Sequence, residues 1–183
     1  MLVGHSCGAT LALQAVMGLW KPRPLSSRDT VDEGNAVPER ADRVDHDSKP
    51  GSVKLPVGIV GLEGIYDIPH LLATHDHPVY QTILESAFGT DQSKWKEPSP
   101  VNAKLKEKWT GGKVVVLAQS KEDELVDWVQ TERMSDALWR ERVKGRRDVV
   151  IGLTGKHEEI WEKGEGVGKA ITKALEMLSE NDL

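Results

Sequence analysis

The sequence predicts an α/β fold on a mostly parallel sheet with flanking helices, and three observations carry that expectation. Apolar runs rich in β-branched residues sit at 55–60, 114–118 and 149–153, continuous rather than alternating, as in strands buried on both faces. Stretches with helical spacing lie between and after them, and alternation of strand with helix favours parallel pairing. The chain has 183 residues, 38% of them hydrophobic, with six Trp and one Cys. That is enough for one domain with its own core and unlike a disulfide-stapled module.

In chain order, Leu2 and Val3 form an apolar stub, followed by a helical run over 9–20. Residues 21–54 hold 14 charged side chains in 34, seven of each sign, with four Pro and seven scattered aliphatics. Such a stretch cannot bury enough to order itself, so it is expected to be a disordered insertion within a single domain over 1–183. The strand at 55–60 comes next, then that at 114–118, and then a helix expected over 124–144. Leu125, Trp128, Val129 and Leu138 form its stripe and Gly145 its stop. After the strand at 149–153, Val167, Ala170, Ile171, Ala174, Leu175 and Leu178 recur at steps of three and four along a closing helix.

Composition excludes several functions. A net charge of −5 without a concentrated basic face leaves no footprint for nucleic acid or an anionic membrane surface, and the turn Lys144-Gly145-Arg146-Arg147 is expected to be solvated. The apolar stretch 9–20 is broken by Thr10 and Gln14 and is too short to span a bilayer. No basic or cleavable leader precedes it, so cytoplasm is the expected compartment.

The chemistry is concentrated at Gly4-His5-Ser6-Cys7-Gly8, a G-x-S-x-G pattern between the apolar stub and the helical run. Strand, sharp turn, helix is the context in which this pattern presents a nucleophilic serine. Glycines at both flanks are expected because side chains there would crowd the strained turn. A serine hydroxyl needs a base and a carboxylate, in the chain order Ser, acid, His. Glu122, Asp123 and Glu124 follow the strand at 114–118, and His157 follows the strand at 149–153. A simple helix cap would not need the glycines around Ser6, whereas acids also suit a helix start and a lone loop histidine is often solvated. Order and strand-end placement together favour the triad, with the choice among the three acids open.

A wider set of residues then carries a resemblance. Gly4 through Ala9, Glu63-Gly64-Ile65-Tyr66-Asp67, Ala87-Phe88-Gly89, Ser99-Pro100-Val101, Asp123-Glu124-Leu125-Val126 and Gly155 through Trp161 resemble the fungal type of kynurenine formamidase, an α/β-hydrolase that releases formate from N-formyl-kynurenine. The resemblance implies Ser6 as nucleophile, Asp123 as acid and His157 as base. It implies a small-molecule substrate, no cofactor, no metal and a homodimer. Enzymes of the family carry an H-G-G-x-W stretch upstream of the elbow that supplies a second oxyanion amide, and this chain starts at the elbow. The expectation is therefore the C-terminal part of an α/β-hydrolase fold with its first strands missing, from a shortened gene model. The Cys7 N–H remains as oxyanion donor, and loss of one such donor costs about 2.7–4 kcal/mol.

Two further readings stand beside the formamidase. One is a general carboxylesterase using the same triad, and the other a catalytically silent binding domain. A metal site at His70, His75, Asp76 and His77 is the rival chemistry, against the expectation that a polar loop of this kind is solvated or lines the pocket mouth. Trp95, Trp109, Trp128, Trp139 and Trp161 are expected in core and interface.

Overall fold

The computed structural model describes residues 1–18, 54–75, 77–142 and 146–180. The insertion expected at 21–54 lies outside them except for Lys54, and so do Asp76, Lys144 and Gly145. Among the described residues, four strands form one sheet in the order β1 (Leu2–His5), β2 (Gly58–Leu62), β3 (Val114–Ser120) and β4 (Arg147–Leu153). All pairs are parallel, with Leu2 beside Ile59, Gly58 beside Val114, and Val114 beside Arg147. The helices are α1 (Cys7–Gln14), α2 (Ile68–Thr74), α3 (Pro78–Phe88), α4 (Leu105–Lys108), α5 (Trp128–Arg140), α6 (His157–Lys163) and α7 (Glu165–Ser179). No helix among the described residues is long and apolar enough to cross a membrane.

Alternate residues of β3 serve opposite layers. Val115 and Leu117 join Ile59 in packing on Leu13 of α1 and on Met134 and Leu138 of α5. Val114, Val116 and Ala118 join Val60 and Leu62 in packing on Ile160 of α6 and Ala170, Ala174 and Met177 of α7. Helix on sheet on helix is the layering that buries a parallel sheet on both faces.

Several boundaries differ from expectation. Pro56 brings no N–H, so β2 begins at Gly58 and runs through Gly61 to Leu62. Gly61 leaves room for the buried Tyr66 ring, which a side chain would strike. β4 is half-buried and alternating rather than continuously buried. It stands at the sheet edge, with Val149, Ile151 and Leu153 packed toward α7 while Asp148, Val150 and Gly152 stay exposed. The helix expected from Glu124 starts at Trp128, because Asp123 Oδ1 accepts the N–H groups of Leu125 and Val126 at 2.9 Å and folds that segment into a turn. Arg146 is buried rather than solvated, paired with Asp148 at 2.9 Å and donating to the carbonyls of Leu138 and Glu141. Trp95 and Trp109 are core residues as expected, whereas Trp139 and Trp161 are 70% and 62% exposed.

Candidate active site

Parallel pairing sends the carboxyl ends of all four strands to one edge, where open α/β sheets place their chemistry. Ser6 follows β1, Glu63 follows β2, Asp123 lies three residues past β3, and His157 opens α6 after β4. The Ser6 N–H donates to Leu62 O and the Glu63 N–H to Ala118 O, both at 2.8 Å. These two bonds carry the ladder one step beyond the strands and clamp both residues to the edge.

Ser6 has φ 55 and ψ −126 at the start of α1, a conformation a non-glycine residue holds only when its surroundings enforce it. Gly4 helps to enforce it. A Cβ there would fall against the Gly8 carbonyl and 2.6 Å from Ala9 N. The expectation for Gly8 is corrected, since a Cβ at that position meets nothing within 4 Å among the described residues. Cys7 is exposed, and its amide belongs to the first turn of α1, whose N–H groups have no partner within the helix.

Asp123 and His157 are joined. His157 Nδ1 lies 3.0 and 2.9 Å from the two Asp123 oxygens, with the side chains 4% and 0% exposed. Gln119 Nε2 donates to Asp123 Oδ2 at 3.0 Å and is itself held by Thr131. The other partners of this carboxylate among the described residues, the two backbone amides and Gln119, are donors. It therefore acts as acceptor toward His157, which puts the proton on Nδ1 and leaves Nε2 as the basic nitrogen. Burial works against the imidazolium, but the hydrogen bond to Asp123 and the charges of Asp123, Glu63 and Glu158 outweigh it and hold the pKa above its ordinary value. Of the neighbouring acids, Glu124 Oε2 accepts the His157 backbone N–H at 3.3 Å, and Glu122 is exposed.

Ser6 stands at the same strand-end edge as this pair but is not bonded to it. Ser6 is half-buried, and its hydroxyl makes no hydrogen bond to His157 among the described residues. The preceding residue bridges the two, since the His5 ring lies 4.6 Å from the His157 ring.

Sequence reasoning missed two residues. Glu63 is fully buried and has φ 48. Its Oε2 sits 3.0 Å from His5 Nε2 and 3.6 Å from His157 Nδ1. A charged residue directly after the apolar run that ends at Leu62 was the available signal. His5 Nε2 also approaches the His157 carbonyl at 3.2 Å. A carbonyl only accepts, so this nitrogen carries a hydrogen. His5, Glu63 and His157 form the group among the described residues whose ligand atoms lie close enough to share an ion. Of the histidines of the rival metal loop, His75 and His77 are engaged locally, whereas His70 Nε2 is buried without a hydrogen-bond partner among the described residues. His77 Nδ1 accepts from Val79 N at the start of α3, His75 Nδ1 contacts Leu71 O at 3.0 Å, and His70 faces Asp127 at 3.9 Å.

A cleft of about 510 Å³ lined by Thr74, His75, Tyr80, Glu124 and Leu125 adjoins the acid turn. A larger one of about 620 Å³, between Trp139, Arg146, Val149 and Met177, is at the other end of β4 and holds neither Ser6 nor His157.

No protein-family model matches the chain. It is 32% identical to the kynurenine formamidase-like hydrolase fscH of Fusarium equiseti, over 98% of this chain and 52% of that protein. The kynurenine formamidase of Meyerozyma guilliermondii is 31% identical over 95% of this chain and 57% of its own length. The kynurenine formamidase avaC of Aspergillus versicolor is 30% identical over 91% and 56%. The resemblance read from the sequence therefore holds along nearly all of the chain, which spans about half the length of the curated relatives it matches. Among solved structures, the acetyl ester-xyloside bifunctional hydrolase of Caldicellulosiruptor lactoaceticus superposes with a TM-score of 0.57 at 13% identity, covering 97% of this chain and 55% of that one. An acylaminoacyl peptidase of Pyrococcus horikoshii gives 0.54 at 14% identity, covering 87% and 20%. The fold is that of the α/β-hydrolases.

Proposed function

We propose, from the α/β-hydrolase fold of a chain that resembles the fungal kynurenine formamidases, that Ser6, His157 and Asp123 form a hydrolytic triad acting on a small formamide of the N-formyl-kynurenine kind. One observation supports this most: a fully buried carboxylate is locked onto the imidazole at 2.9 Å, at the same sheet edge as a serine held at φ 55.

Ser6 Oγ attacks the formyl carbon while His157 Nε2 takes its proton, and Asp123 holds the opposite N–H and balances the imidazolium. The tetrahedral oxyanion is met by the Cys7 amide at the positive end of α1. The protonated His157 then gives its proton to the departing arylamine, and water activated by the same nitrogen releases formate from Ser6. Unliganded sites often hold the serine–histidine bond long and close it once substrate is in place. The cleft beside Glu124 and Leu125 adjoins the acid turn and can receive the aromatic part of the substrate.

The test follows kynurenine release from N-formyl-kynurenine beside hydrolysis of a nitrophenyl ester, with labelling by a fluorophosphonate probe. Wild type should hydrolyse the formamide and take up the probe, and Ser6→Ala should do neither. Ester cleavage without formamide cleavage would replace this reading with a carboxylesterase. A folded chain inert to both substrates and to the probe would leave only a binding role.

A further inference from the structure

We propose that Glu63 is a positioning residue that acts on His157 as a second acid beside Asp123 and, through His5, holds the base against the strand carrying the nucleophile. The proposal rests on the triad reading above and extends it to a fourth group.

Three features of Glu63 support this role. Its side chain is fully buried, at the first position past β2, between the strand that Ser6 follows and the strand that precedes Asp123. Burying a carboxylate is costly unless it is paired. Here the partners are two imidazoles, His5 Nε2 at 3.0 Å and His157 Nδ1 at 3.6 Å. Its backbone is strained at φ 48, and such strain tends to persist where geometry serves function. Finally, Glu63 Oε1 has no hydrogen-bond partner among the described residues, so the pairing is one-sided, with the single engaged oxygen directed between the two rings. His5 completes the clamp, because its Nε2–H is shared between Glu63 Oε2 and the His157 carbonyl at 3.2 Å.

The groups that face His157 are His5 from β1, Glu63 after β2, Asp123 and Glu124 from the turn after β3, and Glu158 beside it on α6, with Tyr80 beyond Asp123 and Glu124. Burial pushes the Glu63 carboxyl up, partly offset by its bond to His5, and the Glu63 charge in turn favours the protonated form of His157. A merely structural Glu63 would leave the titration of His157 where it is.

The experiment compares the full chain with Glu63→Gln, Asp123→Asn and the double variant. His157 is titrated by long-range proton–nitrogen NMR, its signals assigned by their loss in His157→Gln, and fluorophosphonate labelling is followed against pH. Glu63→Gln should lower the His157 pKa by about one unit or more and move the acid limb of labelling down with it. The double variant should be labelled more slowly than Asp123→Asn alone. An unchanged His157 titration in folded Glu63→Gln, or a double variant equal to Asp123→Asn, would overturn the proposal. If Glu63→Gln does not fold, wild type decides: the His157 signals should show a second inflection where a carbon-13 titration places Glu63, and a single-step curve refutes the role. A chain that the probe never labels would defeat the triad reading while the NMR titration still decides on Glu63.

Discussion

Placing one methyl group at either flank of Ser6 should give effects of opposite sign. In Gly4→Ala the new Cβ would press on the Gly8 carbonyl and sit 2.6 Å from Ala9 N. Overpacking costs about 1–3 kcal/mol when neighbouring side chains can give way. These obstacles are backbone atoms of α1, so the cost belongs at the top of that range, about 3 kcal/mol. For a domain of this size that is a fall in Tm of roughly 6–12 °C. In Gly8→Ala the new Cβ meets nothing within 4 Å, at the second residue of α1. Glycine is disfavoured against alanine in a helix by roughly 0.5–1 kcal/mol, so Tm should rise by roughly 1–4 °C. Calorimetry on both variants checks the pair, with tryptophan fluorescence as a second probe of the same transition. Equal losses, or a Gly4→Ala protein melting within about 2 °C of wild type, would mean that the elbow does not close on the start of α1 as described.

Other variants probe the site and its supports. Because the proton held on His157 must leave before it can act as base, and its pKa is held above the ordinary 6.5, fluorophosphonate labelling of Ser6 should rise with pH through a value above about 6.5. An acid limb centred at or below about 6 would contradict this. Asp123→Asn should slow labelling by up to about 10⁴-fold while the chain stays folded, because the imidazole loses the acceptor that sets its tautomer. Gln130 Oε1 accepts the amides of Tyr66 and Asp67 at 2.9 and 2.7 Å. Gln130→Ala should therefore lose at least about 2 kcal/mol in urea unfolding, since two amides in the loop after β2 lose their partner.

The apolar runs marked the interior strands well, because β2 and β3 are covered on both faces. Edge position and local turns are less visible. Nothing in Val149 to Leu153 tells that α7 packs on only half of the strand. The acids of 122–124 read as a helix start, although Asp123 spends one oxygen on the amides of Leu125 and Val126 and so delays α5 to Trp128. At the site, the G-x-S-x-G pattern pointed to Ser6, strand-end placement to His157, and the family resemblance to Asp123. His5 and Glu63 were hidden because their partnership depends on the register of β1 against β2, which sets His5 beside Leu62. Gly8 was over-read, as the pattern G-x-S-x-G shows which positions are small but not which of them is crowded.

The backbone angle at residue 6, φ 55, also restricts which nucleophiles the turn can display. The penalty belongs to the position, so every L-residue placed there inherits it, and branching at Cβ makes it worse. Threonine, which offers the same hydroxyl, is thereby disfavoured, while cysteine fits with the same unbranched shape as serine. The fold has narrowed the choice of attacking atom to the oxygen or sulfur of a slim side chain before any substrate arrives.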